Sequence, residues 1–123
     1  MSDPLISIVD RGGVTVVTVH SRKLYQQAVP VFRTEMLGLI EQGHRSVLVD
    51  LSGVDVMNSS ALGVIILTYD RVTKDGGRFA VAGLGSILKE LFERMHLGEL
   101  FPLAGDVEEG IAVLSGQKNI PAQ

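Results

Sequence analysis

Leu48-Val49-Asp50-Leu51-Ser52-Gly53-Val54-Asp55-Val56-Met57-Asn58-Ser59-Ser60-Ala61-Leu62-Gly63-Val64-Ile65 is the stretch that decides the fold. Its first part continues a compact apolar strand, Ser46 to Leu51, and Gly53 ends it. Its last part opens a helix running from about Ser59 to Lys74. There Leu62, Ile65, Ile66, Tyr69 and Val72 recur at three- and four-residue steps, the spacing of one helical face. Between the two lie Asn58, Ser59 and Ser60, all good helix N-cap types, because a side-chain oxygen can accept from the free N–H groups of the first turn. A strand passing into a helix across so short a connection is the unit from which α/β sheets are built.

The same alternation continues in both directions. Upstream, Ile6 to Asp10 and Val14 to Val19 read as strands joined by a turn at Arg11-Gly12-Gly13, which makes a hairpin. Val29, Phe32, Met36, Leu39 and Ile40 form one helical face, so a helix starts near Ala28 or Val29 and runs to Glu41. Pro30 suits its first turn and Gly43 its end. Downstream, Asp75-Gly76-Gly77 is a turn, and Arg78 to Gly83 is a strand. A helix from about Ser86 to Met95 follows, with Ile87, Leu88, Leu91 and Phe92 expected inward. Leu100 to Leu103 is expected as an edge strand, because Pro102 confines it to an edge. Leu97, Leu100 and Phe101 are expected mainly in the core. Asp106 caps a last helix through Leu114, with Val107, Ile111 and Leu114 inward. The expected order is β-β-α-β-α-β-α-β-α. It predicts an α/β fold: a mostly parallel four- to five-stranded sheet with an N-terminal hairpin, flanked by about four helices. One domain spans residues 5–115, and residues 116–123 form a polar tail expected to fray.

Composition narrows the function. The 123 residues are 46% hydrophobic and 20% charged, as in an ordinary globular domain. Eleven Lys and Arg stand against 14 Asp and Glu, and the basic residues are scattered, which argues against nucleic acid as a partner. With no Cys there is no disulfide framework, thiolate metal site or Cys nucleophile. His20, His44 and His96 lack metal-ligand spacing, so no metal and no cofactor is expected. No basic region followed by an apolar run stands at the start, and no segment approaches the roughly 18 apolar residues of a membrane helix. A soluble, cytoplasmic protein that is not inserted in a membrane is the expectation.

Nor is a catalytic set visible. Asp50 and Asp55 read as a strand-end and a turn carboxylate rather than an acid–base pair. Ser59 has neither a recognisable base nor a Gly-x-Ser-x-Gly elbow. The chain is therefore expected to bind, not to catalyse. The junction itself has two readings. In one, Asn58, Ser59 and Ser60 simply cap a helix. In the other, the free N–H groups and positive end of that helix tolerate an anion, so Ser59 can carry a phosphate without unfolding the domain. A partner docked there would meet about −1.5 to −2 new charges.

The stretch Leu48 to Ile65 resembles the signature of the STAS family, the anti-sigma factor antagonists. The likeness continues through Asp75-Gly76-Gly77-Arg78-Phe79-Ala80-Val81-Ala82-Gly83-Leu84 and from Ile87 to Phe101, and covers about residues 5–115. The resemblance implies the fold just described. It also implies an anti-sigma factor antagonist that binds an anti-sigma factor in its unphosphorylated form and so releases a sigma factor. The anti-sigma factor would be a GHKL-type Ser/Thr kinase that phosphorylates the antagonist, and a Ser phosphatase would reverse the reaction. Residue by residue, the phosphorylated Ser falls on Ser59, with Asn58, Ser60, Ala61, Leu62 and Gly63 around it as partner-binding positions. Three departures from the family pattern are expected on one surface: Asn58 where Asp is usual, Ala61 where Gly is usual, and a basic His20-Ser21-Arg22-Lys23 loop where the family is acidic. Arg22 and Lys23 therefore join the partner-binding set. The rival reading is a non-switching docking module of a signalling scaffold or transport complex. A weak homodimer is left open.

Overall fold

A computed structural model of the chain describes residues 4–116. Most of the expected tail lies outside the described residues. The hairpin forms as expected from β1 (Ile6–Arg11) and β2 (Val14–Val19), paired antiparallel in unbroken register from Ile6 opposite Val19 to Arg11 opposite Val14. Gly12 and Gly13 both have positive φ (62° and 88°), the conformation a two-residue hairpin turn demands. The sheet is completed by β4 (Ser46–Asp50), β6 (Arg78–Ala82) and β7 (Leu103–Ala104), all parallel to β2. Its spatial order is β1-β2-β4-β6-β7.

Helices α1 (Ala28–Glu41), α2 (Ser59–Lys74), α3 (Ser86–Arg94) and α4 (Val107–Leu114) flank it. Alternation along the strands sorts the core into two layers. Val17, Val19, Val47, Val49, Phe79 and Val81 face α1, α2 and α3, where Phe32, Met36, Leu39, Ile65 and Phe92 meet them. Val14, Val16, Leu48, Ala80 and Ala82 face α4 and Leu114. The second face is lined by smaller side chains. Gly110 of α4 sits so close to it that a Cβ there would lie 2.6 Å from Cδ1 of Leu48.

The ends of the elements follow from local chemistry. Past α1, Gly43 (φ 88°) lets its own N–H reach the Ile40 carbonyl while His44 N–H reaches that of Leu39, closing the helix in a Schellman arrangement. Asp106 caps α4 as expected, accepting from Glu109 N–H at 2.8 Å.

Three expectations need correction. The residues before β7 are not a strand from Leu100. His96 takes a left-handed conformation (φ 55°), Leu97–Glu99 coil into a 3₁₀ turn, and Phe101 is buried against Tyr69 and Phe79. Pro102 has no N–H to give, so it contributes only its carbonyl, to Val81 N–H, and ladder pairing begins at Leu103. Leu97 joins Phe101 in the core, but Leu100 is exposed. Ile87 is 61% exposed, because the inward stripe of α3 is the i, i+4 pair Leu88 and Phe92 and Ile87 lies beside it. Finally, two strands of two residues each, β3 (Lys23–Leu24) and β5 (Val56–Met57), pair parallel in a separate small sheet. Neither is long enough to show a period of its own.

The turn into β6 has no spare room. A Cβ on Gly77 would run into the Arg45 carbonyl oxygen and lie 2.9 Å from Val72 Cγ1. That carbonyl already accepts from Arg78 N–H at 2.7 Å. Gly77→Ala is therefore expected to lower stability by about 1–3 kcal/mol in urea titration. Gly63→Ala, in open space on α2, is expected to raise it by up to about 1 kcal/mol.

Candidate functional site: the N-terminus of α2

The route from β4 to α2 is held at every step. Leu51 N–H donates to the Ala82 carbonyl at 2.9 Å, so the chain leaves β4 still tied to β6. Asp50, only 8% exposed, accepts from Ser52 N–H at 3.0 Å, and Val54 N–H turns back to the Leu51 carbonyl. Gly83 (φ 79°) packs beneath this turn, where a Cβ would lie 2.9 Å from that of Ser52 and 3.0 Å from Asp50 Oδ1. Asp50 and Asp55 thus serve separate turns. Asp55 reaches outward to Arg22 (2.9 Å), an exposed pair worth under about 1 kcal/mol.

The small sheet delivers the last residues before the helix. The Arg22 carbonyl accepts from both Asp55 and Val56 N–H groups, at 2.8 and 3.2 Å. Asn58 N–H then donates to the Leu24 carbonyl at 3.3 Å. This pairing sets Lys23 opposite Val56 and Leu24 opposite Met57. Arg22 and Lys23 are thereby brought beside the start of α2, as expected.

Asn58 has extended backbone (φ −94°, ψ 177°), and its Oδ1 accepts from Ala61 N–H at 2.9 Å. Its carbonyl accepts the first helical bond, from Leu62 N–H. Because Ala61 N–H can only donate, the amide oxygen is the atom facing it. The N–H groups of Ser59 and Ser60 come first in the helix and have no carbonyl one turn behind them. Both residues are exposed. This is the geometry of a capped, outward-facing, partly positive helix end. Gly63 is exposed one turn on. Ala61 and Leu62, both named as partner-binding positions, are buried at 0% and 4% exposure, Leu62 on the inner face that the helical periodicity gave it. Their side chains belong to the core and seat the helix.

One neighbour was missed by sequence reasoning. A cleft of about 290 Å³ lies between β5 and α3, lined by Val56, Met57, Ile87, Leu91 and Arg94. Exposed Ile87 gave a signal, standing outside the Leu88/Phe92 stripe, but periodicity alone counted it as core. A larger cleft, about 690 Å³, opens at the ends of β6 and β7 beside Lys89, Glu93, His96 and Glu99. Among the described residues no group of three His, Asp or Glu side chains is placed to hold a metal, and no helix is long and apolar enough to cross a membrane.

The STAS domain family pattern matches residues 6–110, and the chain belongs to that family. It is 31% identical over 84 residues to the anti-sigma-B factor antagonist of Bacillus subtilis, covering 68% of this chain and 76% of that one. Its fold superposes with a TM-score of 0.81 on an anti-sigma factor antagonist from Mycobacterium paratuberculosis, at 22% identity over 94% of this chain and 99% of that one. It also superposes on the Bacillus cell fate determinant SpoIIAA in the phosphorylated form, with a TM-score of 0.68 and 18% identity over 86% and 96% of the two chains.

The cap can be tested directly. Asn58→Ala should lower stability by about 1 kcal/mol. Asn58→Asp keeps the acceptor and adds a charge that the helix end favours, so it should stay within about 0.5 kcal/mol of the parent or above it. Thermal or urea unfolding of both variants checks this.

Proposed function

We propose that this protein is an anti-sigma factor antagonist switched by phosphorylation at Ser59. The unphosphorylated form docks on an anti-sigma factor of the GHKL Ser/Thr kinase type, which then releases its sigma factor. Phosphorylation of Ser59 by that kinase separates the pair, and a Ser phosphatase restores binding. The observation that carries the reading is Ser59 itself: an exposed Ser at the first position of a capped helix, in a chain of the STAS family. Its curated relative in Bacillus subtilis bears the antagonist name.

The physics supports a switch of binding rather than of fold. A phosphate on Ser59 meets a helix end whose dipole favours negative charge, so the domain keeps its shape. The docked partner instead meets the new charge at the centre of the contact. Asn58, Ser60 and Gly63 present the surface around Ser59, while Arg22 and Lys23 flank it at the start of β3. Asn58 retains the cap and adds no carboxylate beside the acceptor.

A second reading, a constitutive docking module of a signalling scaffold or transport complex, draws support from Asn58 and from the basic Arg22 and Lys23. The two readings separate on one experiment. Under the switch, Ser59→Asp weakens partner binding by about 30- to 150-fold, the effect of an unpaired charge in the contact, while Ser59→Ala binds as the parent does. A constitutive module binds equally with either substitution. Incubation with the cognate kinase and ATP, followed by phosphopeptide mass spectrometry, should place phosphate on Ser59. Its absence there rejects the switch.

A further inference from the structure

The two edges of the main sheet are unlike. β7 is two residues long and follows Pro102. β1 is six residues long, regular along its whole length, and contains neither Pro nor Lys. Natural sheets blunt their edges with short strands, Pro, Lys or bulges, because an open strand is a template for another. β7 is protected in this way, whereas β1 carries charge only at its turn end, at Asp10 and Arg11.

Backbone parity decides which groups of β1 are open. His20 N–H donates to the Leu5 carbonyl at 2.7 Å, so Leu5 and His20 form a hydrogen-bonded pair. Such pairs alternate along an antiparallel ladder. Ser7, Val9 and Arg11 therefore bond to β2, and Ile6, Ile8 and Asp10 point their N–H and C=O groups away from it. Ile6 is 5% exposed and covered. The open ladder is Ile8 and Asp10. Beside it, Ile8 (46% exposed) lies on the α1/α2 face opposite Val17, and Val9 (53% exposed) lies on the α4 face opposite Val16. Neither helical layer covers β1 at this point.

We propose that β1 is a homodimer edge, occupied by β1 of a second copy of this chain running antiparallel with Val9 opposite Val9. Five registers bring outward groups together, and those centred on Ile6 and Ser7 fall on the covered Ile6. One centred on Ile8 needs the covered Ile6. One centred on Asp10 sets Asp10 against its own copy. The register centred on Val9 uses only Ser7 to Arg11, of which Ser7 is half-buried and the rest exposed. It pairs Ile8 with Asp10 of the second copy, and the reverse, for four hydrogen bonds. Arg11 stands opposite Ser7, so no like charges face each other directly. Val9 meets its copy in a non-hydrogen-bonded pair, with Cα atoms about 4.5 Å apart. This self-complementarity selects a second copy as the occupant over a foreign strand. Five residues a side bury less than the roughly 1,200 Å² of a stable interface, so the dimer is weak and reversible. The two five-stranded sheets become one of ten strands. The inference does not depend on the Ser59 reading.

The test uses the full chain, which has no native Cys. Sedimentation equilibrium over rising concentration should show a monomer–dimer equilibrium. Under mild oxidation Val9→Cys should form an interchain disulfide faster than Ile8→Cys or Asp10→Cys, because only position 9 meets itself at disulfide distance. Ile8→Pro removes an N–H that faces away from β2, so the hairpin keeps its ladder. Two of the four intermolecular bonds are lost, and the dimer should weaken about thirtyfold. A protein that stays monomeric at millimolar concentration overturns the proposal. So does a dimer in which position 9 crosslinks no faster than positions 8 and 10. If Ile8→Pro fails to fold, the cysteine series decides alone.

Discussion

Where β4 ends, the Leu51 N–H still donates to the Ala82 carbonyl while the Asp50 carboxylate turns back to Ser52 N–H. The start of α2 depends on this pair of bonds. They fix the direction in which the chain leaves the sheet, and Gly83 leaves the space for it. The small β3/β5 sheet then carries that direction to Asn58, whose two acceptors close the first turn of the helix. Each bond contributes only about 1 kcal/mol net. Their value lies in sequence: every one constrains the residue that makes the next.

Placement and chemistry meet at five consecutive residues. Asn58 caps, Ser59 and Ser60 face solvent, and Ala61 with Leu62 enters the core. A helix end anchored from below in this way presents its first N–H groups outward. A new charge at such an end is borne by the helix dipole rather than by rearranged side chains. A charge added there would therefore leave this domain's own structure unchanged.

Much of this was legible beforehand, for identifiable reasons. The long apolar periods of α1 and α2 and the Gly-rich hairpin turn gave their elements within a residue or two. The junction was readable because capping chemistry is local. What escaped was set by neighbours far along the chain. β3 and β5 are too short to show alternation and exist because they find each other. Ile87 is as apolar as Leu88, and only the position of α3 against the sheet turns it outward. Leu100 to Leu103 looked like a strand, but the reversal at His96 and the packing of Phe101 on Tyr69 and Phe79 delayed it. Ala61 was given to the docking surface with the rest of its motif, and Leu62 was counted there although its periodicity already turned it inward, because a motif does not say which of its members faces in.

That last division has a consequence for how such a chain can diverge. Inward and outward roles at the start of α2 fall on different residues. Substitutions at the exposed Ser60, Arg22 or Lys23 change the surface beside the helix end while leaving folding stability almost untouched. Changes at Ala61 or Leu62 do the reverse. The surface at the helix end can therefore diverge without first passing through an unstable intermediate.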